Sequence, residues 1–117
     1  MENLVQKFRQ QLGRKQYDEL DETWLELIEG DQSMTVLLAL ADLVEQWGPP
    51  GKAFLLLSLL NDHLHDENRF SEQMTVLRRL ARMAPADASL ARDIASCLRR
   101  LHPNVEILDR ILQKVGI

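Results

Sequence analysis

The chain is built from about seven helix-like segments that are separated by only roughly two to six residues each. In each segment, apolar side chains recur at the three- to four-residue spacing of one helix face, and no segment alternates with the two-residue period of a strand. Such short connections make consecutive helices pack antiparallel, as helical hairpins. The sequence therefore predicts an all-α fold, arranged as a closed bundle or as a stacked solenoid.

Capping residues, glycines and prolines mark where these helices begin and end. Gly13 is placed to end the first helix, and Gly48–Gly51, with its two prolines, ends the third. Ser33 or Asp31 is expected to cap the third helix, and Asp87 the sixth. The expected helices cover roughly 2–12, 18–29, 33–47, 52–65, 69–83, 88–101 and 103–116. The third is apolar enough to be central, through Val36, Leu37, Leu40, Leu43, Val44 and Trp47.

Length and composition indicate one small globular domain over residues 1–117, since the chain is 45% hydrophobic and 27% charged. The single cysteine, Cys97, cannot form an internal disulfide, which favours a reducing compartment. The first residues lack the apolar core of a signal peptide, and no apolar run approaches the ~20 residues that a membrane span needs. We therefore expect a cytoplasmic protein without a membrane contact.

Charge is distributed unevenly along the chain, whose net charge is −4. Residues 1–58 carry five Lys or Arg against ten Asp or Glu, whereas residues 69–100 carry seven Arg against three acids. Duplex-binding domains are basic overall, so direct nucleic-acid binding is not expected. A contact between the arginine-rich end and an acidic protein surface fits this pattern better.

Residues 54–85 read as one helix–turn–helix unit. Its spacing is carried by Phe54, Leu57, Leu60, Leu64, Asn68, Phe70, Leu77, Leu80 and Pro85. This pattern resembles the tetratricopeptide repeat, whose period is about 34 residues, and the next unit begins at Ala88. Asn61 and Gln73 stand where that repeat has small residues. The resemblance implies about seven antiparallel helices stacked as a short tetratricopeptide-like α-solenoid, with a closed bundle as the alternative.

A second resemblance rests on two stretches. They are Leu12 to Glu29, ending Thr23-Trp24-Leu25-Glu26-Leu27-Ile28, and Thr75-Val76-Leu77-Arg78-Arg79-Leu80 through Asp93-Ile94-Ala95-Ser96-Cys97-Leu98-Arg99-Arg100-Leu101. Their order is similar to the helical N-terminal extension of Gre-type transcript-cleavage factors of chlamydiae. Gre factors hold Mg²⁺ with acidic residues at a coiled-coil tip, which has no counterpart here. The resemblance implies an accessory domain of a transcription elongation factor, in contact with RNA polymerase or another transcription protein.

The candidate binding site follows from the solenoid. In tetratricopeptide-like stacks, fixed positions of each first helix line a groove, and here these positions hold Leu55, Ser58, Asp62 and His65, then Ser89, Arg92, Ser96 and Arg99. A polar groove that ends in two arginines suits an acidic or extended peptide. Arg78 and Arg82, four residues apart, are expected to form an outer basic patch, with ordinary surface solubility as the alternative for all these arginines.

Neither catalytic residues nor a cofactor are expected. His63 and His65 are two residues apart on a helix and point to different sides, so they cannot share a metal ion. Cys97 has apolar neighbours and is expected to be a small buried side chain. The prediction is therefore a non-enzymatic protein-interaction domain, with no metal. The alternatives are a stand-alone tetratricopeptide-like adaptor or secretion-type chaperone, and an enzyme or ligand-binding bundle.

Overall fold

The computed structural model describes residues 3–30, 32–84 and 87–101, and every regular element in these ranges is an α-helix. The six helices are α1 (Leu4–Gly13), α2 (Tyr17–Glu29), α3 (Met34–Trp47), α4 (Lys52–Asp66), α5 (Phe70–Met83) and α6 (Ala88–Leu101). Their bounds lie within about two residues of the expected ones. The all-α prediction is confirmed, and the expected seventh helix lies outside the described residues.

The helices belong to two compact units, Met1–Leu60 and Asn61–Ile117. The first unit contains α1, α2, α3 and the first part of α4, and the second contains the end of α4 with α5 and α6. The boundary therefore falls inside one continuous helix. The single domain over residues 1–117 and the solenoid arrangement both stay predictions.

The core of the first unit is organised around Trp24, whose side chain is fully buried. Its indole Nε1 donates a hydrogen bond of 2.8 Å to the Leu56 carbonyl oxygen, which ties α2 to α4. The Phe8 ring of α1 packs on the indole with 5.7 Å between the ring centroids. Lys52 Nζ, 2.9 Å from an Asp21 carboxylate oxygen, adds a second link between α2 and α4. Helix α1 also packs against α3.

The second unit has a smaller core, in which α5 packs along α6. Its buried apolar side chains are Leu64, Met74, Val76, Leu77, Leu80, Leu90, Ala95 and Cys97. Asn61 and Gln73, at the positions where the tetratricopeptide repeat has small residues, are both buried as well. Among the described residues, the Asn61 Oδ1 and Gln73 Oε1 atoms make no hydrogen bond.

The sequence located two helix starts correctly. Ser33 caps α3, because its Oγ accepts a hydrogen bond from the Val36 backbone N–H at 3.3 Å. Asp87 caps α6, because its Oδ1 accepts from the backbone N–H groups of Ser89 at 2.9 Å and Leu90 at 3.3 Å.

The end of α1 differs from the expectation, since Gly13 is its last helical residue and does not terminate it. The turn is made by Lys15, whose φ of 59° lies in the left-handed region. The backbone N–H groups of Gln16 and Lys15 donate to the Gln11 and Leu12 carbonyls, the pattern of a Schellman motif. Asn68 makes the same turn after α4, with φ 58°.

The break after α3 depends on two glycines. A Cβ on Gly48 would lie 2.7 Å from the Val44 carbonyl oxygen, so no larger residue fits there without a shift. Gly51 has φ +85° at the third position of a turn that begins at Pro49 and closes with a hydrogen bond from Lys52 N–H to the Pro49 carbonyl. Proline second and glycine third are the residues that a type II turn favours.

Trp47 is the main correction to the expected core. The central position of α3 is confirmed for Leu37, Leu40 and Val44, which are buried, but the Trp47 side chain is 67% exposed. The buried residues form a stripe, and Trp47 lies at its edge, on the side shared with the half-buried Val36 and Leu43. Spacing alone placed Trp47 inside, because periodicity does not show where a neighbouring helix ends.

We expect Trp24→Phe to lower the free energy of unfolding by about 2 kcal/mol, because it removes a buried hydrogen bond and leaves a cavity between α2 and α4. Urea unfolding followed by circular dichroism measures this change. Trp47→Phe is the matched control and should change stability by less than about 0.5 kcal/mol, since that ring is exposed. Equal losses in the two variants would contradict the assignment of Trp24 as the centre of the core.

Candidate functional site

The predicted groove residues divide between the two units. Ser58 lies in the first unit, half-buried, and its hydroxyl donates to the Phe54 carbonyl oxygen of its own helix at 2.8 Å. Asp62 and His65 lie at the end of α4 in the second unit, and both are exposed. Leu55, in the first unit, is 44% exposed.

The other four predicted groove residues lie along α6. Ser89, Arg92, Ser96 and Arg99 are all exposed. Their spacing of three, four and three residues keeps them on one side of the helix, while Leu90, Ala95 and Cys97 are buried on the other. The exposed side of α6 therefore carries serine and arginine residues in alternation, and we call these four residues the α6 polar face.

At the junction of α4 and α6, three side chains contact one another. Arg100 Nη1 lies 3.0 Å from His65 Nδ1, and because arginine can only donate, Nδ1 is the acceptor in this contact. The Arg100 guanidinium carbon lies 5.0 Å from the centroid of the Phe70 ring, which is cation–π distance. The His65 and Phe70 rings meet edge to face, 6.3 Å apart. This cluster brings His65 next to α6.

Sequence reasoning missed two residues of this junction, Arg100 and Asp93. With His65, Gln73, Ser96 and Cys97 they line a cavity of about 40 Å³. The sequence could have identified Arg100 as a site residue, because it follows Ser96 by four residues and so lies near it on the helix surface. A repeat template selected positions 92 and 99, whereas the helix geometry turns 93 and 100 toward α4.

Asp93 is the titratable group that this junction perturbs. Loss of hydration raises the pKa of the Asp93 carboxyl, and the nearby Asp62 carboxylate raises it further, while His65 acts in the opposite direction. Asp87 adds a smaller upward contribution. The ionised form of Asp93 is therefore less favourable in the folded protein than in the unfolded chain.

Cys97 also borders this cavity and is buried, as the sequence predicts. Its thiol donates a hydrogen bond to the Phe70 carbonyl oxygen, with 3.1 Å between sulfur and oxygen. Burial raises the pKa of the Cys97 thiol, although Arg100 opposes this shift. The thiol is therefore held neutral at physiological pH, which does not favour nucleophilic chemistry.

Outside this junction, Arg78 and Arg82 are exposed on α5. Within the described ranges, no three histidine, cysteine or acidic side chains are arranged to hold a metal ion. None of the described helices combines the length and the apolar character that crossing a membrane requires.

An open apolar groove in the first unit was not predicted at all. It runs between α1 and α3 as two adjoining depressions of about 360 and 350 Å³, which share Arg9 and Leu43. The lining residues are Val5, Arg9, Leu12, Gly13, Lys15, Val36, Ala39, Leu40, Leu43 and Trp47. We call this surface the α1–α3 groove.

Comparison of the chain with protein-family models, with curated proteins and with solved structures gives no significant match in any of the three searches.

We expect the Cys97 thiol to react with a disulfide reagent at least about 100-fold more slowly in the native protein than in denaturant, because it is buried and neutral. Absorbance of the released thiolate at pH 8 measures the rate, and the single cysteine makes the signal specific. Comparable rates in both conditions would contradict the buried, hydrogen-bonded position.

Asp93→Asn should raise the melting temperature at pH 7. A raised folded-state pKa means that protonation stabilises the fold below about pH 4 and that this contribution is lost as the pH rises through the folded-state pKa. The neutral amide removes that loss, so variant and wild type should converge near pH 3. Thermal unfolding by circular dichroism at both pH values tests this.

Glu72→Gln provides a control with the opposite sign. Arg69 Nε donates to the Glu72 carboxylate at 2.8 Å, and this hydrogen bond holds the pKa of Glu72 below its usual value. Stability from this pair is present above about pH 4 and is lost as the pH falls through the folded-state pKa. The variant should therefore lower the melting temperature at pH 7, and a rise would contradict the electrostatic interpretation of this unit.

Proposed function

We propose that this chain is a non-catalytic protein-binding domain that takes an acidic, extended segment of a partner along the α6 polar face and the adjoining end of α4. The observation that carries the proposal is the contact between His65 and Arg100, which brings the exposed polar residues of α4 and α6 into one surface. The guanidinium group of an arginine on such a surface can bind a carboxylate through two parallel hydrogen bonds.

The size of the enclosed space supports a polypeptide ligand over a small molecule. The cavity at this junction measures about 40 Å³, whereas pockets for small molecules usually hold about 300–1,000 Å³. The functional groups are instead spread along the helix, since Arg92 and Arg99 are separated by seven residues, or about 10 Å of helix. An extended peptide of three or four residues covers that distance.

The buried state of Cys97 and the pairing of His65 with Arg100 also favour binding over catalysis. A catalytic cysteine needs an accessible thiolate and a nearby base, whereas the Cys97 thiol is neutral and donates to a backbone carbonyl. The Nδ1 atom of His65 is engaged by Arg100. In the described structure, Cys97 is therefore hydrogen-bonded to the Phe70 carbonyl and His65 to Arg100.

We further propose a short tetratricopeptide-like stack for the architecture, with a cytoplasmic role as an accessory N-terminal domain of a Gre-type elongation factor. The hairpin of α1 and α2, the packing of α5 on α6 and the tight turn at Asn68 support the helical-repeat proposal. The transcription proposal rests on the sequence resemblance of residues 12–29 and 75–101. RNA polymerase or another transcription protein is the proposed partner.

Reversing two charges on the α6 polar face should abolish partner binding, because it turns the proposed carboxylate site acidic. We expect Arg92→Glu with Arg99→Glu to reduce capture of the partner from a bacterial extract at least about tenfold, while helical circular dichroism is unchanged. Quantitative mass spectrometry of proteins retained on the immobilised chain measures this.

Arg78→Glu with Arg82→Glu is the matched control, since it makes the same change in net charge elsewhere on exposed helix surface. Unchanged capture by the Arg92/Arg99 variant, or an equal loss in both double variants, would overturn the groove proposal. RNA polymerase subunits among the specifically lost proteins support the elongation-factor proposal. A small secreted partner supports the stand-alone adaptor or chaperone instead.

A further inference from the structure

The α1–α3 groove belongs to the first unit, whereas the α6 polar face belongs to the second. One wall is the stripe of Val5, Arg9 and Leu12 on α1, and the other follows α3 from Val36 to Trp47. These twelve residues of α3 extend over about 16 Å, or three helical turns. The groove therefore has the length and the apolar walls that receive one further short helix.

Trp47 gives this groove an anchor for a ligand. Its side chain is 67% exposed at one end of the groove, while Leu43 beside it is half-buried. A large aromatic ring that is exposed beside an apolar depression has much surface to bury upon binding, and tryptophan is enriched among residues that dominate binding energy. Single exposed apolar residues are common, but here the exposed ring continues a lined groove.

The distribution of charged residues around the groove indicates the charge of a suitable ligand. Residues 3–16 contain four Lys or Arg and no acid, whereas residues 17–60 contain nine acids and Lys52 alone. Lys52 is paired with Asp21, so the remaining cations of the first unit are confined to α1 and its turn. Two of them, Arg9 and Lys15, line the groove. The surface is therefore apolar at its base and positive along the α1 side, within a unit that is otherwise acidic.

We propose that the α1–α3 groove binds an acidic amphipathic helix of a partner protein. Apolar side chains of the helix fill the space between α1 and α3 and cover Trp47, and its carboxylates pair with Arg9 and Lys15. A second copy of this chain does not supply such a helix from its acidic α2, because the apolar residues of α2 are buried in its own core and only Leu25 is exposed.

A designed peptide that carries the two proposed features of the ligand, an apolar face and flanking carboxylates, tests this proposal. The probe is a capped 16-residue helix without tryptophan, with leucines on one face and glutamates beside them, and its matched control has lysines in place of the glutamates. Addition of the glutamate peptide should shift the emission of Trp47 to shorter wavelengths, and Trp47→Phe should abolish the shift. Calorimetric titration should give a Kd at least about tenfold lower for the glutamate peptide than for the lysine peptide.

Variants of the groove locate the binding. Arg9→Glu with Lys15→Glu should weaken the glutamate peptide at least about tenfold, whereas Arg78→Glu with Arg82→Glu, of equal charge change, should leave the Kd within about twofold. The variant with both Arg92→Glu and Arg99→Glu should also leave the Kd of the glutamate peptide unchanged. A failure of the α1–α3 groove proposal is therefore distinguishable from a failure of the proposed function on the α6 polar face.

Three results would overturn the proposal. The first is equal binding of the two peptides, or no binding by either. The second is a dimer in sedimentation experiments that Trp47→Ala dissociates, since the occupant is then another copy of this chain. The third is sedimentation with phosphatidylserine vesicles that depends on Arg9 and Lys15 and outcompetes the peptide, which assigns the groove to a lipid surface.

Discussion

The first unit depends on the burial of Trp24, because its side chain connects three helices at once. Phe8 of α1 packs on one side of the indole, and the indole N–H donates to the Leu56 carbonyl of α4. A buried indole N–H without an acceptor costs free energy, so this hydrogen bond fixes how α2 and α4 are aligned as well as how closely they approach. With α2 held against both neighbours, α1 is positioned to pack on α3 along the groove.

Much of the helical framework could be predicted from sequence because its signals are local. Apolar spacing, the capping residues Ser33 and Asp87, and the Gly48–Gly51 break act within a few residues of the chain, and each agrees with the structure. The turn after α1 was assigned to the wrong residue, because a lysine adopts the left-handed conformation that glycine usually provides. There the hydrogen bonds of the Schellman motif outweigh the intrinsic preference of Lys15.

The candidate sites were predicted less well, because they depend on contacts between helices. A repeat template selects positions by number and identifies the exposed residues of α6, but it cannot show that Arg100 reaches His65 across a 35-residue separation. Periodicity likewise assigned Trp47 to the core, since nothing in the spacing reveals that α1 leaves the end of α3 uncovered. The α1–α3 groove is formed by that uncovered edge, so it had no signature in either helix alone.

The α6 polar face and the α1–α3 groove both contain positively charged side chains, although they belong to different units. The chain is acidic overall, which disfavours unspecific association with nucleic acids and other anionic polymers. Each described surface nevertheless gathers arginine or lysine beside a different kind of neighbour, hydroxyl groups on the α6 polar face and apolar walls in the α1–α3 groove. Both proposed ligands carry carboxylates, so charge alone does not discriminate between them. In the two proposals the neighbouring groups discriminate between the ligands, because hydroxyl groups suit an extended acidic segment whereas apolar walls suit a helix with an apolar face.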